Sequence, residues 1–136
     1  MVIGVLPHLL EKARADASPN VEILPSMEQQ VLLNYYQRAK VYCQPSYTEG
    51  LPNSICEAML CECVSVGTQV GGIPSAIGDC GFLVPYGEVG LLVEAIRSAL
   101  HAPESLGQRG RARIAEHFPL KKREETLLRI IQEAVR

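Results

Sequence analysis

Five short apolar runs, each followed by a segment with helical periodicity, constrain this chain more than any other feature. The runs occupy residues 2–6, 21–24, 41–43, 64–66 and 82–85. None leaves a face for solvent, and buried strands separated by helices read as a parallel sheet covered on both sides. The pattern predicts a doubly wound, Rossmann-like α/β domain with extra helices at the C-terminal end.

The punctuation between the runs supports that order. Pro7 suits the first turn of a helix reaching about Ala17, because its missing N–H has no helical partner there. Ser18-Pro19-Asn20 is a turn, and Pro25-Ser26 is expected to break the second strand, with Ser26 capping a helix that carries Val31, Leu32, Tyr35, Tyr36 and Ala39. Asn53 is placed to cap a helix containing Ile55, Ala58, Met59 and Leu60. Gly71-Gly72 and Pro74 mark a turn with a short helix behind it. Beyond Glu88 the apolar spacing is helical: Leu91, Leu92, Ala95, Ile96, Ala99 and Leu100, then a helix over 111–117, then one carrying Leu127, Leu128, Ile130, Ile131 and Val135.

A length of 136 residues predicts one domain. The net charge of −2 gives no basic excess of the kind that nucleic acid attracts, so no nucleic-acid partner is expected. Arg109, Arg111, Arg113, Lys121, Lys122 and Arg123 thicken toward the end, but Glu116, Glu124 and Glu125 interleave with them as on solvated helix faces. No apolar run approaches the roughly 20 residues of a membrane span, and a cytoplasmic location is expected. Five scattered cysteines suggest free thiols, and with three dispersed histidines they predict no metal site. Cys56, with no histidine near it in sequence, reads as a small buried side chain and not a nucleophile.

In such sheets ligands bind beyond the C-terminal ends of the strands, which singles out the loops over 24–28, 44–52 and 68–74. The 44–52 loop runs into a helix and so offers a helix N-terminus, where free N–H groups and the helix dipole favour a phosphate. Gly50 would allow close backbone approach, while Glu49 in the loop and Glu57 on the helix could each accept hydrogen bonds from ligand hydroxyls.

The stretch from Pro45 through Glu49-Gly50-Leu51-Pro52-Asn53-Ser54 to Glu57-Ala58-Met59 resembles the E-x7-E signature of the glycosyl transferases group 1 family, which includes sucrose- and starch-synthase-like enzymes. Thr68 to Pro74, with Gly71-Gly72, is similar to that family's second donor loop, and Gly81 to Pro85 to its following strand. The resemblance implies a retaining transferase of GT-B architecture, with two Rossmann-like domains facing across a cleft. The present chain would be the C-terminal one, binding a nucleotide-diphosphate sugar as donor substrate without a separate cofactor or metal. Glu49 would then contact the transferred sugar as the catalytic carboxylate, and Glu57 would hold the ribose. Gly50, Leu51, Pro52, Asn53 and Ser54 would face the diphosphate and sugar. Leu24 and Pro25 would lie against the base, and Gly71 and Gly72 would shape the floor.

Several features depart from the family pattern. The segment expected to open the domain, a first strand with a Gly-Arg…Lys-Gly motif that neutralises the diphosphate, is missing, as is the acceptor-binding N-terminal domain. Ser75 stands where an acidic residue is common. Glu62 and Val64 replace a usual Gly and Pro, and Val5-Leu6 replaces part of a Gly-x-Gly-Pro turn. The expectation is therefore a donor-binding domain inactive by itself, needing an acceptor domain or subunit; in a longer enzyme it would work in the cytoplasm or at the inner membrane face. The alternatives are the donor subunit of a split transferase, or an interaction module that has lost ligand binding. An unpaired sheet edge beside residues 2–6 would allow a homodimer.

Overall fold

The computed structural model describes residues 1–135; the side chains at 120, 122 and 123 lie outside that description, Lys122 and Arg123 of the basic stretch among them. The chain forms two compact units, Met1–Tyr35 and the remainder from Tyr36.

In the first unit, β1 (Val2–Val5) and β2 (Ile23–Pro25) pair in parallel, with Val2 opposite Ile23 and Val5 opposite Pro25. The register shifts between Ile3 and Val5, where Gly4 takes a φ of +91°. A bulge with a left-handed residue is a place where only glycine is unstrained. Pro25 does not break the strand as expected; it ends it, beyond the bulge, where proline is tolerated. Val21 lies outside β2 because its N–H closes the preceding turn on the Ser18 carbonyl at 2.8 Å. The helix expected from Pro7 begins as a 3-10 turn, Pro7–Leu9, and becomes α1 only at Leu10–Asp16. The Leu9 N–H bonds back to the Leu6 carbonyl at 2.9 Å, three residues earlier, which sets the tighter winding. α2 (Gln29–Arg38) starts three residues past Ser26. The Glu28 carbonyl accepts the N–H groups of Val31 and Leu32, both at 3.0 Å.

The second unit carries β3 (Val41–Gln44), α3 (Asn53–Leu60), β4 (Val64–Thr68), α4 (Ile73–Ile77), β5 (Gly81–Val84), α5 (Val89–His101), α6 (Glu104–His117) and α7 (Leu120–Ala134). The three strands run parallel in the order β3-β4-β5. All five residues of central β4 are buried. Val64 and Val66 pack with Val84 and with Ala95 and Ala99 of α5. On the other face lie Ile55 and Met59 of α3, Ile73, Ala76 and Ile77 of α4, and Ile114 of α6. Gly67 faces that second cluster: a Cβ there would come 2.6 Å from Ile73 Cγ2. Each face of the sheet is thus covered by its own apolar layer, as a doubly wound domain requires. The five strands are hydrogen-bonded as one pair and one triple, not as a single ladder.

α3 ends in a two-bond cap. The Cys63 N–H reaches the Ala58 carbonyl at 3.0 Å and the Glu62 N–H reaches Met59 at 2.9 Å, with Glu62 left-handed at φ +67°. This is the αL position at which helices usually carry glycine. α6 packs against α3, and Gly107 permits the approach, since a Cβ there would lie 2.1 Å from the Glu62 carbonyl oxygen. The helix expected over 111–117 is thus the second half of a longer one, its first half disguised by the glycines at 107 and 110, both buried. Among the described residues no helix is long and apolar enough to cross a membrane.

Candidate functional site

The loop after β3 and the loop after β4 leave the sheet at the same, C-terminal edge, because their strands are parallel neighbours. They are bonded to one another. The Gly72 N–H donates to the Gly50 carbonyl at 2.6 Å, and the Thr68 hydroxyl to the Ser46 carbonyl at 2.6 Å. Gly71 has a φ of +51°, and a Cβ on it would fall 1.8 Å from the Glu49 carbonyl oxygen; one on Gly72 would lie 2.6 Å from that of Gly50. The glycine pair is therefore required by the close packing of two loops as well as by the turn itself.

Gly50 is different. No protein atom would lie within 4 Å of a Cβ there, so the protein itself does not demand a glycine. Leu51 is exposed, Pro52 is buried, and Asn53 is exposed. Asn53 does not cap α3 as expected: it is the first helical residue, and Pro52 occupies the cap with an extended backbone. Proline offers no side-chain acceptor, and no side chain caps this terminus. The first N–H groups of α3 consequently have no intrahelical acceptor.

Glu49 is half-buried and held by its neighbours. Its Oε1 accepts from Gln44 Nε2 at 2.7 Å and from the Ser46 hydroxyl at 2.8 Å. Gln44 Oε1 in turn accepts from the Tyr42 hydroxyl and the Ser54 hydroxyl, both at 2.9 Å. One strand-end amide thereby links the loop carboxylate to the second residue of α3. Glu57, also half-buried on α3, lies within electrostatic range of Tyr36 and Tyr42. Burial pushes the Tyr36 phenol well above its ordinary range, with Tyr42 and the Glu57 charge adding to the effect. Burial likewise raises Tyr42, partly offset by its hydrogen bonding with Ser54.

Burial raises the pKa of every cysteine thiol in the chain. Burial raises the Cys56 thiol, and the Glu57 carboxylate raises it further, keeping it protonated and unreactive. All five cysteines are free, and among the described residues no group of three or more histidine, cysteine or acidic side chains is arranged to hold a metal. At the same sheet edge Tyr47 and Tyr86 meet edge to face at 5.0 Å, beside a shallow recess lined by Pro45, Thr68, Val84 and Leu92.

Of the residues singled out by sequence, Glu49, Gly50, Leu51, Gly71 and Gly72 thus come together in one pair of packed loops. Pro52 is the cap of the helix that follows, on which Asn53, Ser54 and Glu57 lie. Leu24 and Pro25 belong to β2 in the first unit. Gln44, Ser46 and Thr68 were not singled out as individual residues. Their signal was faint: polar residues at or just beyond the C-terminal ends of otherwise apolar strands.

The chain is similar to known glycosyltransferases. The family model described as glycosyl transferases group 1 matches residues 1–102. A D-inositol 3-phosphate glycosyltransferase of Mycolicibacterium smegmatis is 31% identical over 103 residues, 74% of this chain and 24% of that protein. A capsular polysaccharide biosynthesis glycosyltransferase, CapM, of Staphylococcus aureus is 26% identical over 106 residues, 74% of this chain and 27% of that one. The solved structure of a sucrose-phosphate synthase from Thermosynechococcus elongatus superposes with a TM-score of 0.81 at 25% identity, over 97% of this chain and 38% of that one. The chain spans about a quarter of the length of the curated relatives it matches.

Proposed function

The chain belongs to the glycosyl transferases group 1 family, and on that premise we propose that its second unit forms the donor side of a transferase, binding a nucleotide-diphosphate sugar at the sheet edge described above. The observation that carries this reading is the junction of three features at one place: an uncapped helix N-terminus, an open backbone at Gly50, and a carboxylate already oriented by two donors. An uncapped α3 suits a diphosphate, whose oxygens would take the N–H groups that no side chain satisfies. Glu49 then faces the sugar, where a fixed negative charge stabilises the developing positive charge of an oxocarbenium-like centre. Glu57, farther along the helix, accepts ribose hydroxyls. Transfer with retention needs an acceptor held opposite, which is the part assigned to an N-terminal domain or a separate subunit, so this chain by itself binds donor without turning it over. No metal or further cofactor enters the scheme.

Calorimetric titration with UDP, GDP, ADP and their glucose conjugates tests the reading. Micromolar binding to one nucleotide family, weakened about tenfold or more in Glu57→Ala through loss of its hydrogen bonds, is the expected result. A folded chain that binds none of them would favour the reading as an interaction module that has lost its ligand.

A further inference from the structure

We propose that Gln44 is the positioning residue of this site: its side-chain amide fixes the Glu49 carboxylate and ties it to the start of α3. The proposal rests on the donor-site reading and extends it to a residue outside the E-x7-E stretch.

The chemistry of the amide settles its orientation. Gln44 Oε1 receives two hydroxyl donors, from Tyr42 and Ser54, while Nε2 donates to Glu49 Oε1. Turned the other way, a carbonyl oxygen would confront a carboxylate oxygen, and the NH2 would displace the Tyr42 and Ser54 hydroxyls from their acceptor. Only this orientation gives the Glu49 oxygen a donor while leaving both hydroxyls their acceptor. The Ser46 hydroxyl fills a second acceptor direction on the same Oε1, and Ser46 is itself held by the buried Thr68 hydroxyl on its carbonyl. Oε1 is thus committed to the protein. Among the described residues no hydrogen bond engages Oε2, which is left to face a ligand hydroxyl.

Ser54 gives the amide its second role. It is the second residue of α3, in the turn whose N–H groups carry no cap. A glutamine bonded at one end to Ser54 and at the other to Glu49 sets the spacing between the place for a phosphate and the place for a sugar. Its removal should therefore penalise ligands that span both places more than ligands that occupy one. Hydrogen bonds to charged groups are the stronger kind, which scales the expected loss to about tenfold.

The test compares wild type, Gln44→Met and Gln44→Glu by calorimetry, each with UDP, GDP and ADP and with their glucose conjugates. Gln44→Met keeps the volume and removes both links. Gln44→Glu keeps an acceptor for Tyr42 and Ser54 and sets a second carboxylate against Glu49. The expected result is that the ratio of diphosphate Kd to sugar-conjugate Kd falls about tenfold in both variants, with the diphosphate alone changing least in Gln44→Glu. An equal weakening of both ligands, or an unchanged ratio, would overturn the proposal, since a merely structural role moves both ligands together. If the wild type binds no probe, the donor-site reading fails on its own account, and the side-chain amide resonances of Gln44 decide the rest. Slowly exchanging Nε2 protons in wild type, exposed in Glu49→Ala while the backbone spectrum elsewhere is kept, would uphold the positioning. Gln44 amide signals that are the same in both proteins would refute it.

Discussion

The Cys63 thiol donates to the Tyr36 and Ala39 carbonyls at 3.2 and 3.3 Å, in a spot where burial pushes its pKa from 9.0 up to about 11. A thiol that resists ionisation in the fold but not in the unfolded chain stabilises fully below about pH 9. That contribution is then lost as the pH climbs through about 11, because the unfolded state binds fewer protons over that window. The loss amounts to roughly 3 kcal/mol, at about 1.4 kcal/mol per unit. Cys63→Ser keeps a donor for both carbonyls and cannot titrate there, so urea unfolding across pH 8 to 11 should show a shallower alkaline limb, with Tyr36 and the other buried thiols supplying what remains. An alkaline limb as steep as that of wild type would show that the thiol proton is not held in the fold. At this scale the sequence was legible where a motif carries the meaning. Glu49, Glu57 and the Gly71-Gly72 pair stand out through the resemblance of their motifs to the glycosyl transferases group 1 family. Gln44 does not, since a polar residue at the end of a strand becomes informative only when folding brings Tyr42, Ser54 and Glu49 around its amide.

Two glycines on helices make opposite forecasts from the same substitution. Gly107 lies on α6 where a Cβ would come 2.1 Å from the Glu62 carbonyl oxygen, and backbone cannot yield as a side-chain tip can. Gly107→Ala should force α6 off α3 and cost about 2 kcal/mol or more, in the range of overpacked contacts. Gly90, in the first turn of α5, has nothing within 4 Å of such a Cβ. Gly90→Ala should stabilise by about 0.5 kcal/mol, through helix propensity and a less flexible unfolded chain. Chemical denaturation of the two variants reads the pair, and equal signs would contradict the described α3–α6 packing. The same contact explains why sequence pattern found only half of α6. Glycines weaken the helical signal over 104–110, although here they are what lets the helix sit close. The reverse happened at Asn53, whose capping chemistry is genuine but whose position is one residue past the cap the chain uses, Pro52 by its extended backbone. Local propensity marks the neighbourhood of a helix start, and the packing of the element sets the residue.

For the molecule as a whole, the number and order of strands were readable because each apolar run is bounded by proline, glycine or a helical segment, although β1 is not buried in the structure. The division of the ladder into β1-β2 and β3-β4-β5 was not, since it depends on which backbone groups meet and no side-chain pattern encodes that. The last helix poses the corresponding question for stability. Every residue of the two core clusters of the second unit lies between Val41 and Phe118. α7, beyond them, is amphipathic, yet Leu127, Leu128, Ile130 and Ile131 are each half or more exposed. Its Lys121–Glu125 and Arg129–Glu133 pairs, at 4.0 and 3.2 Å, are surface pairs of the i,i+4 kind worth a few tenths of a kcal/mol each. Apolar side chains that stay in water contribute little to folding, and an isolated helix of this length is marginal. A chain ending at Phe118 should therefore melt within about 2 °C of the full chain, given that 1 kcal/mol shifts a domain of this size by roughly 4 °C. Amides in α7 should exchange early, ahead of those in β4, and the shortened chain should bind less of a hydrophobic dye because it has lost an exposed apolar stripe. A drop of 5 °C or more on truncation, with protected α7 amides, would mean that the stripe is buried in solution, and self-association measured by sedimentation would then show whether a second copy covers it.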